Sequence, residues 1–104
     1  MSKQTERITK MEENLDACRA AADALEKALE EYNACIKGIR ELEEYYSGGQ
    51  WLRDFEAWEN GELPQDLKCG VLSEDAVYDL LTDECELITR MTDIASRYLK
   101  ERRS

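Results

Sequence analysis

The side chains of this chain that could do chemistry are concentrated between positions 51 and 79. Carboxylates stand there beside cations, and carboxylates that are brought together can bind a metal ion or share a proton. The polar candidates are Arg53, Asp54, Glu56, Lys68, Asp75 and Asp79. The same stretch holds aromatic side chains that could line a pocket, namely Trp51, Phe55, Trp58 and Tyr78.

Ordinary structural roles compete with these functions. Aromatic stripes at helical spacing usually pack a core, and carboxylates on helix faces are usually solvated. We therefore expect the aromatic side chains to close one end of the fold as a small hydrophobic cluster. Trp58 is the exception, because an exposed aromatic ring often marks a binding surface.

Composition removes several classes of function. The chain has 104 residues and no His, which excludes catalysis or metal binding that requires imidazole. Its 24 acidic and 14 basic side chains give a net charge of −10, and this disfavours nucleic acid as a partner. The chain contains no run of about 18 apolar residues, which is the length that a membrane-spanning helix needs. No Cys or Ser stands beside an activating base, so we expect neither an enzyme nor a bound cofactor.

Cysteine usage points to a reducing compartment. No two of the four cysteines are spaced as a C-x-x-C pair, so their spacing does not indicate a zinc site. The first ten residues are polar and charged and do not resemble a secretory signal. We therefore expect a cytoplasmic protein with free thiols.

A long helix over residues 4–46 precedes the chemical stretch. Its apolar positions alternate in steps of three and four, the 3.5-residue period that is typical of a coiled-coil seam. These positions are Ile8, Met11, Leu15, Cys18, Ala22, Leu25, Leu29, Tyr32, Ile36 and Ile39.

The elements that position the chemical stretch come next. A short amphipathic helix is predicted over 50–59, followed by a packed connection over 60–72 that contains Pro64 and Gly70. Ser73 is a preferred N-cap for a last helix over 74–102. Together these elements predict one all-α domain, residues 1–104. Its fold would be an antiparallel, coiled-coil-like hairpin of two long helices, with the short helix and packed loop at the turn.

The two long helices differ in length. The first would span roughly 65 Å and the last only about 43 Å at 1.5 Å per residue. The first helix therefore extends past its partner, and its seam residues Ile8, Met11 and Leu15 are left without an intramolecular cover. We expect a second copy of the chain to cover them, since two-fold dimers dominate soluble oligomers.

Residues 51–81 carry a family resemblance. They contain W-L-x-D-F-E and then G-x-L-P-x-D-L-K-x-G-V-L-S-E-D-A-V-Y-D-L-L. This pattern resembles domain of unknown function 4298, a family of small bacterial helical proteins. The resemblance implies a bacterial, helical protein and supplies no activity and no catalytic residues.

Three functional hypotheses remain. The first is a non-enzymatic, homodimeric interaction or scaffold module that could also bind an unidentified protein partner. Its recognition surface, here named the turn clasp, comprises Trp51, Asp54, Phe55, Trp58, Lys68 and Tyr78. The second is a protein that binds a small ligand or a metal ion in the Trp51–Tyr78 region. The third is an acidic inhibitor that mimics nucleic acid, although Lys and Arg interleave with its acids.

Overall fold

The computed structural model describes residues 2–103, and over that range the chain is helical with no strand. Three α-helices, α1 (Lys3–Ser47), α2 (Gln50–Glu59) and α3 (Ala76–Arg103), are accompanied by one 3-10 turn (Gly70–Leu72). The all-α class predicted from the sequence is confirmed. The observed helix bounds lie within two residues of the predicted ones.

The described residues fall into two compact units that meet within α1, the first ending at Lys37 and the second beginning at Gly38. The first unit is a single stretch of α1, and its helix is capped at the start because Ser2 Oγ accepts a 3.1 Å hydrogen bond from the Thr5 N–H. Its seam residues Ile8, Met11 and Leu15 are 54%, 50% and 60% exposed. Within this first unit their apolar surface is therefore left uncovered.

Glycines end the first two helices in the second unit. Gly49, between α1 and α2, has φ 91°, a left-handed conformation that other residues adopt only with strain. After α2, Gly61 has φ 70°. Its N–H donates to the Trp58 carbonyl at 3.1 Å, and the Glu62 N–H donates to the Ala57 carbonyl at 2.9 Å. This pair of bonds is a Schellman motif, which satisfies carbonyls that the helix end would otherwise leave free.

The core of the second unit lies where the 3-10 turn meets α3. Leu72 and Val77 are only 4% and 3% exposed. Between them Ser73 Oγ accepts a 3.3 Å hydrogen bond from the Ala76 N–H, as predicted for the N-cap of α3. The backbone of the 3-10 turn approaches both α2 and α3. These contacts make the turn the element that joins the two helices.

Burial decreases along α3 with distance from this core. Leu81 and Glu84 are half-buried, whereas every residue from Cys85 to Arg103 is exposed. Among the described residues of the second unit, no Cα atom of α1 lies within 8 Å of a Cα atom of α3. The close antiparallel pairing of α1 with α3 therefore stays a prediction.

None of the helices between residues 2 and 103 combines the length and the apolarity needed to cross a membrane.

Candidate functional site

The turn clasp is built around a row of four aromatic rings. Trp51, Phe55 and Trp58 are spaced by four and three residues, so they share one face of α2. The Trp51 and Phe55 rings stack with centroids 5.1 Å apart, and the Phe55 and Trp58 centroids are 5.9 Å apart. Tyr46, at the end of α1, meets Trp51 edge-on at 5.2 Å. The row therefore runs from the end of α1 along the length of α2.

The indole of Trp51 anchors this row to the 3-10 turn. Its Nε1–H donates a 2.8 Å hydrogen bond to the Val71 carbonyl, and the ring is half-buried. A buried indole N–H usually finds such a partner. The bond spans twenty residues of sequence and holds α2 against the segment that carries the core residue Leu72.

A second bond joins α1 to α2 through polar side chains. Tyr45 Oη donates to Asp54 Oδ2 at 2.6 Å. Desolvation, followed by the hydrogen bond and the charge of Asp54, raises the pKa of Tyr45 from 10.0 to about 12. The phenol therefore stays protonated at neutral pH, which suits a structural donor and not a general base.

The predicted recognition residues divide into two groups. Trp51, Phe55 and Trp58 are brought together in the aromatic row, and Asp54 contributes the bond to Tyr45. Within the described part of the chain, Lys68 has no ion-pair partner within 4.0 Å, and Tyr78 makes no ring contact with the row. Both of these side chains are exposed.

Exposure differs along the aromatic row. Trp51 and Phe55 are half-buried, whereas Trp58 is 46% exposed. The inner part of the row therefore packs the turn, and its outer end presents an aromatic surface to solvent. This arrangement agrees with the expectation that Trp58 would differ from its neighbours.

The turn clasp also involves Tyr45, Tyr46 and Val71, which are not among its predicted residues. The two tyrosines lie in the last turn of α1, with Ser47 between them and the two glycines, and both contact side chains of α2. Two bulky polar aromatics at a glycine-terminated helix end are a signal that could have identified them. Val71 contributes only its backbone carbonyl, and side-chain type carries no signal for that role.

The carboxylates of this region do not form a metal centre in the structure. Within residues 2–103, no group of three or more His, Cys, Asp or Glu side chains is placed to hold a metal ion. Asp75 and Asp79 lie at the start of α3, where their charge suits the helix dipole. The arrangement is therefore a turn held by two side-chain hydrogen bonds, with the exposed ring of Trp58 at one end.

Comparison with known proteins places the chain in a family. The family model described as Domain of unknown function (DUF4298) matches residues 8–94, which include α2, the 3-10 turn and most of both long helices. Neither the curated proteins nor the solved structures that were compared gave a significant match. The match covers more than half of the chain and confirms the resemblance seen in residues 51–81. The chain belongs to the DUF4298 family.

Proposed function

We propose that this chain is a non-enzymatic, self-associating interaction module of the bacterial cytoplasm. The observation that carries the proposal is the exposure of the N-terminal seam. Ile8, Met11 and Leu15 lie on one face of α1, and half or more of each side chain is exposed. Burying a large apolar side chain contributes roughly 1.5–3 kcal/mol, so a partner that covers this row gains substantial free energy. A second copy carries the same row and is the simplest such partner.

The hairpin is the second part of the proposal. The apolar rows of α1 and α3 both advance in steps of three and four. An antiparallel register that sets Ile39 opposite Leu81 also sets Leu25 opposite Ala95. In the second unit, Ile39 and Leu81 are half-buried, which supports pairing that begins near the turn.

Charge also supports the antiparallel direction. Residues 17–31 of α1 contain four acidic and two basic side chains, whereas residues 89–103 of α3 contain five basic and two acidic ones. In the proposed register these segments lie beside each other, so opposite charges meet. The N-terminal seam would then extend beyond the end of α3 and stay free to bind a second copy.

The turn clasp is the proposed surface for an additional protein partner. Its inner aromatic side chains are held by ring packing and by the Trp51–Val71 bond, and we expect these contacts to restrict the motion of its exposed end. Rigid, exposed aromatic side chains lose little conformational entropy on binding and are enriched at interaction hot spots.

The mass of the chain in solution tests self-association. Light scattering on a sizing column, with thiols reduced and over a wide range of concentrations, should show a dimer. Replacing Met11 with Glu places a charge on the N-terminal seam of both copies, and we expect the dissociation constant to rise at least about 100-fold. Ala17→Glu is the matched control, because it adds the same charge to an exposed position of α1 that lies off the seam.

Two results would contradict the proposal. One is a chain that stays monomeric at the highest concentration reached. The other is a dimer that Met11→Glu and Ala17→Glu weaken equally, because the contact would then depend on net charge and not on the seam.

A further inference from the structure

The apolar face of α3 is wider than a single neighbouring helix would cover. One row faces α1 in the proposed hairpin and includes Val77, Leu81, Ile88, Ala95 and Tyr98. A second row, Leu80, Leu87 and Ile94, repeats every seven residues along one edge of the first. At 100° per residue the two rows together cover about 140° of the helix circumference. Such a width is typical of a helix that contacts two neighbours in a bundle.

The second row is accessible in the single chain. Leu80, Leu87 and Ile94 are 44%, 51% and 62% exposed. All three lie on α3, whose bounds are Ala76–Arg103, so the helix backbone holds them in one line. Their exposure leaves an apolar strip, which Glu84 interrupts between Leu80 and Leu87, roughly 21 Å long from the first residue to the last at 1.5 Å per residue.

The charge of this segment changes sign at Leu87. Residues 74–86 contain six acidic side chains and no basic one. Residues 88–103 contain five basic and two acidic side chains, a net charge of +3. Two copies of the helix aligned antiparallel about Leu87 would set each acidic half beside a basic half. A parallel pair would instead set acidic beside acidic and basic beside basic, which is unfavourable.

We infer that α3 of a second copy packs antiparallel along Leu80, Leu87 and Ile94, with the two-fold axis at Leu87. This inference rests on the proposed self-association and adds α3 to the N-terminal seam as a surface that a second copy contacts. Each Leu80 would meet Ile94 of the other copy, and the two Leu87 side chains would meet each other. The surface is self-complementary, as a closed two-fold interface requires.

Ion pairs on one flank of the strip give the interface its direction. Asp79, Asp83, Arg90 and Arg97 all project from the same side of the Leu80–Ile94 row, at helical angles within about 60° of one another. An antiparallel two-fold pair brings this flank of one copy against the same flank of the other. Asp83 then faces Arg90 of the other copy, and Asp79 faces Arg97. The symmetry makes each pair occur twice.

Single-cysteine cross-linking tests the position and direction of the contact. In the full chain, Cys18, Cys35, Cys69 and Cys85 are replaced by Ser, and Leu80→Cys, Leu87→Cys and Ile94→Cys are then introduced one at a time. A disulfide needs Cα atoms within about 7 Å of each other, and between two copies of the same position the proposed interface provides that distance only at its axis. In that interface the two copies of position 80, like those of position 94, lie roughly 21 Å apart.

Mild oxidation followed by a non-reducing gel gives the result. We expect Leu87→Cys to form a cross-linked dimer, and the other two variants to stay single chains. An equimolar mixture of the Leu80→Cys and Ile94→Cys chains should form a cross-linked dimer. Equal cross-linking of all three variants alone would indicate a parallel pair and overturn the inference.

Solution mass separates this inference from the function on which it rests. A dimer by light scattering that yields no Leu87→Cys cross-link would overturn the α3 interface and leave self-association standing. A monomer by light scattering would overturn both.

Charge reversal provides a test that needs no cysteine. Arg97→Asp sets Asp79 against a like charge, and we expect it to raise the dissociation constant of the dimer about tenfold. Adding Asp79→Arg restores an opposite pair and should recover most of that loss. If the dimer of the double variant has a dissociation constant no lower than that of Arg97→Asp alone, the Asp79–Arg97 pair is contradicted. Circular dichroism of each variant checks that the helices remain formed.

Discussion

The phenol of Tyr45 and the carboxylate of Asp54 are joined by a 2.6 Å hydrogen bond that ties the last turn of α1 to α2. Only Gly48 and Gly49 separate the two helices, and glycine-rich connections are conformationally permissive. The bond therefore restricts the angle between the end of α1 and α2, and with it the position of the aromatic row.

Removing this bond should loosen the turn modestly. Tyr45→Phe keeps the ring and deletes the donor, so we expect the free energy of unfolding to fall by about 1 kcal/mol, because a bond to a charged but exposed acceptor is partly screened by water. Urea denaturation followed by circular dichroism measures the change, with all variants at the same protein concentration. A variant as stable as the parent chain would show that the turn is held without this bond.

The same bond predicts a dependence of stability on alkaline pH. The pKa of Tyr45 is raised from 10.0 to about 12 in the folded chain. A group whose folded-state pKa is raised contributes stability that is complete below its unfolded pKa and is lost as the pH rises through the folded value. The stability difference between the parent chain and Tyr45→Phe should therefore shrink between pH 10 and pH 12.

Asp54→Asn provides the control for the origin of this effect. It removes the carboxylate charge and leaves an amide oxygen that can still accept the phenol proton. The pKa of Tyr45 should then move down toward 10.0, because the charge of Asp54 no longer opposes ionisation. Ultraviolet difference titration of tyrosinate measures this change in the pKa of Tyr45. An unchanged titration curve would assign the raised pKa to desolvation alone.

The two tryptophans should respond differently to the same substitution. Trp51→Phe keeps an aromatic ring but leaves the half-buried Val71 carbonyl without its 2.8 Å donor, so we expect a loss of about 1–2 kcal/mol in the free energy of unfolding. Trp58→Phe is the matched control on the exposed end of the row, and its effect should be within about 0.5 kcal/mol. Thermal and urea unfolding measure both. Equal losses would indicate that the indole bond adds nothing beyond ring packing.

Leu72 should be far more important to stability than its neighbour Leu67. Leu72 is almost fully buried against α3, so Leu72→Ala leaves a cavity and should cost about 2–5 kcal/mol. Leu67 lies in the same connection but is exposed, and Leu67→Ala should change the free energy by less than about 0.5 kcal/mol. Urea denaturation compares the two. A similar effect at both sites would mean that the core does not lie where the 3-10 turn meets α3.

Glycine substitutions should have opposite signs at Gly61 and Gly38. Gly61 has φ 70°, so Gly61→Ala should destabilise the chain by about 1 kcal/mol. Gly38 lies inside α1, where an added Cβ would meet nothing within 4 Å, so Gly38→Ala should stabilise it by up to about 1 kcal/mol. Thermal unfolding shows the sign directly. A destabilising Gly38→Ala would indicate a helix packed closely against that position in the dimer.

The three helices are predictable from the sequence because the signals that determine them are local. Heptad spacing and breakers such as Gly49 and Gly61 depend on backbone preferences over a few residues. Ser73 was identified as the N-cap of α3 for the same reason, since the cap bond to Ala76 spans three residues. The family resemblance in residues 51–81 was likewise visible in the sequence and is confirmed by the family match.

The tertiary structure alone decided which side chains meet. Trp51 bonds to a carbonyl twenty residues away, and Tyr45 bonds to a carboxylate nine residues away, so both partners depend on the path of the chain through the turn. It likewise selected Leu72 and Val77 as the buried core from many apolar candidates of similar character. Apolar periodicity shows which face of a helix tends to be buried, but the elements that bury it are distant in sequence. Local patterns therefore predicted the helices of this chain, whereas its contacts required the fold.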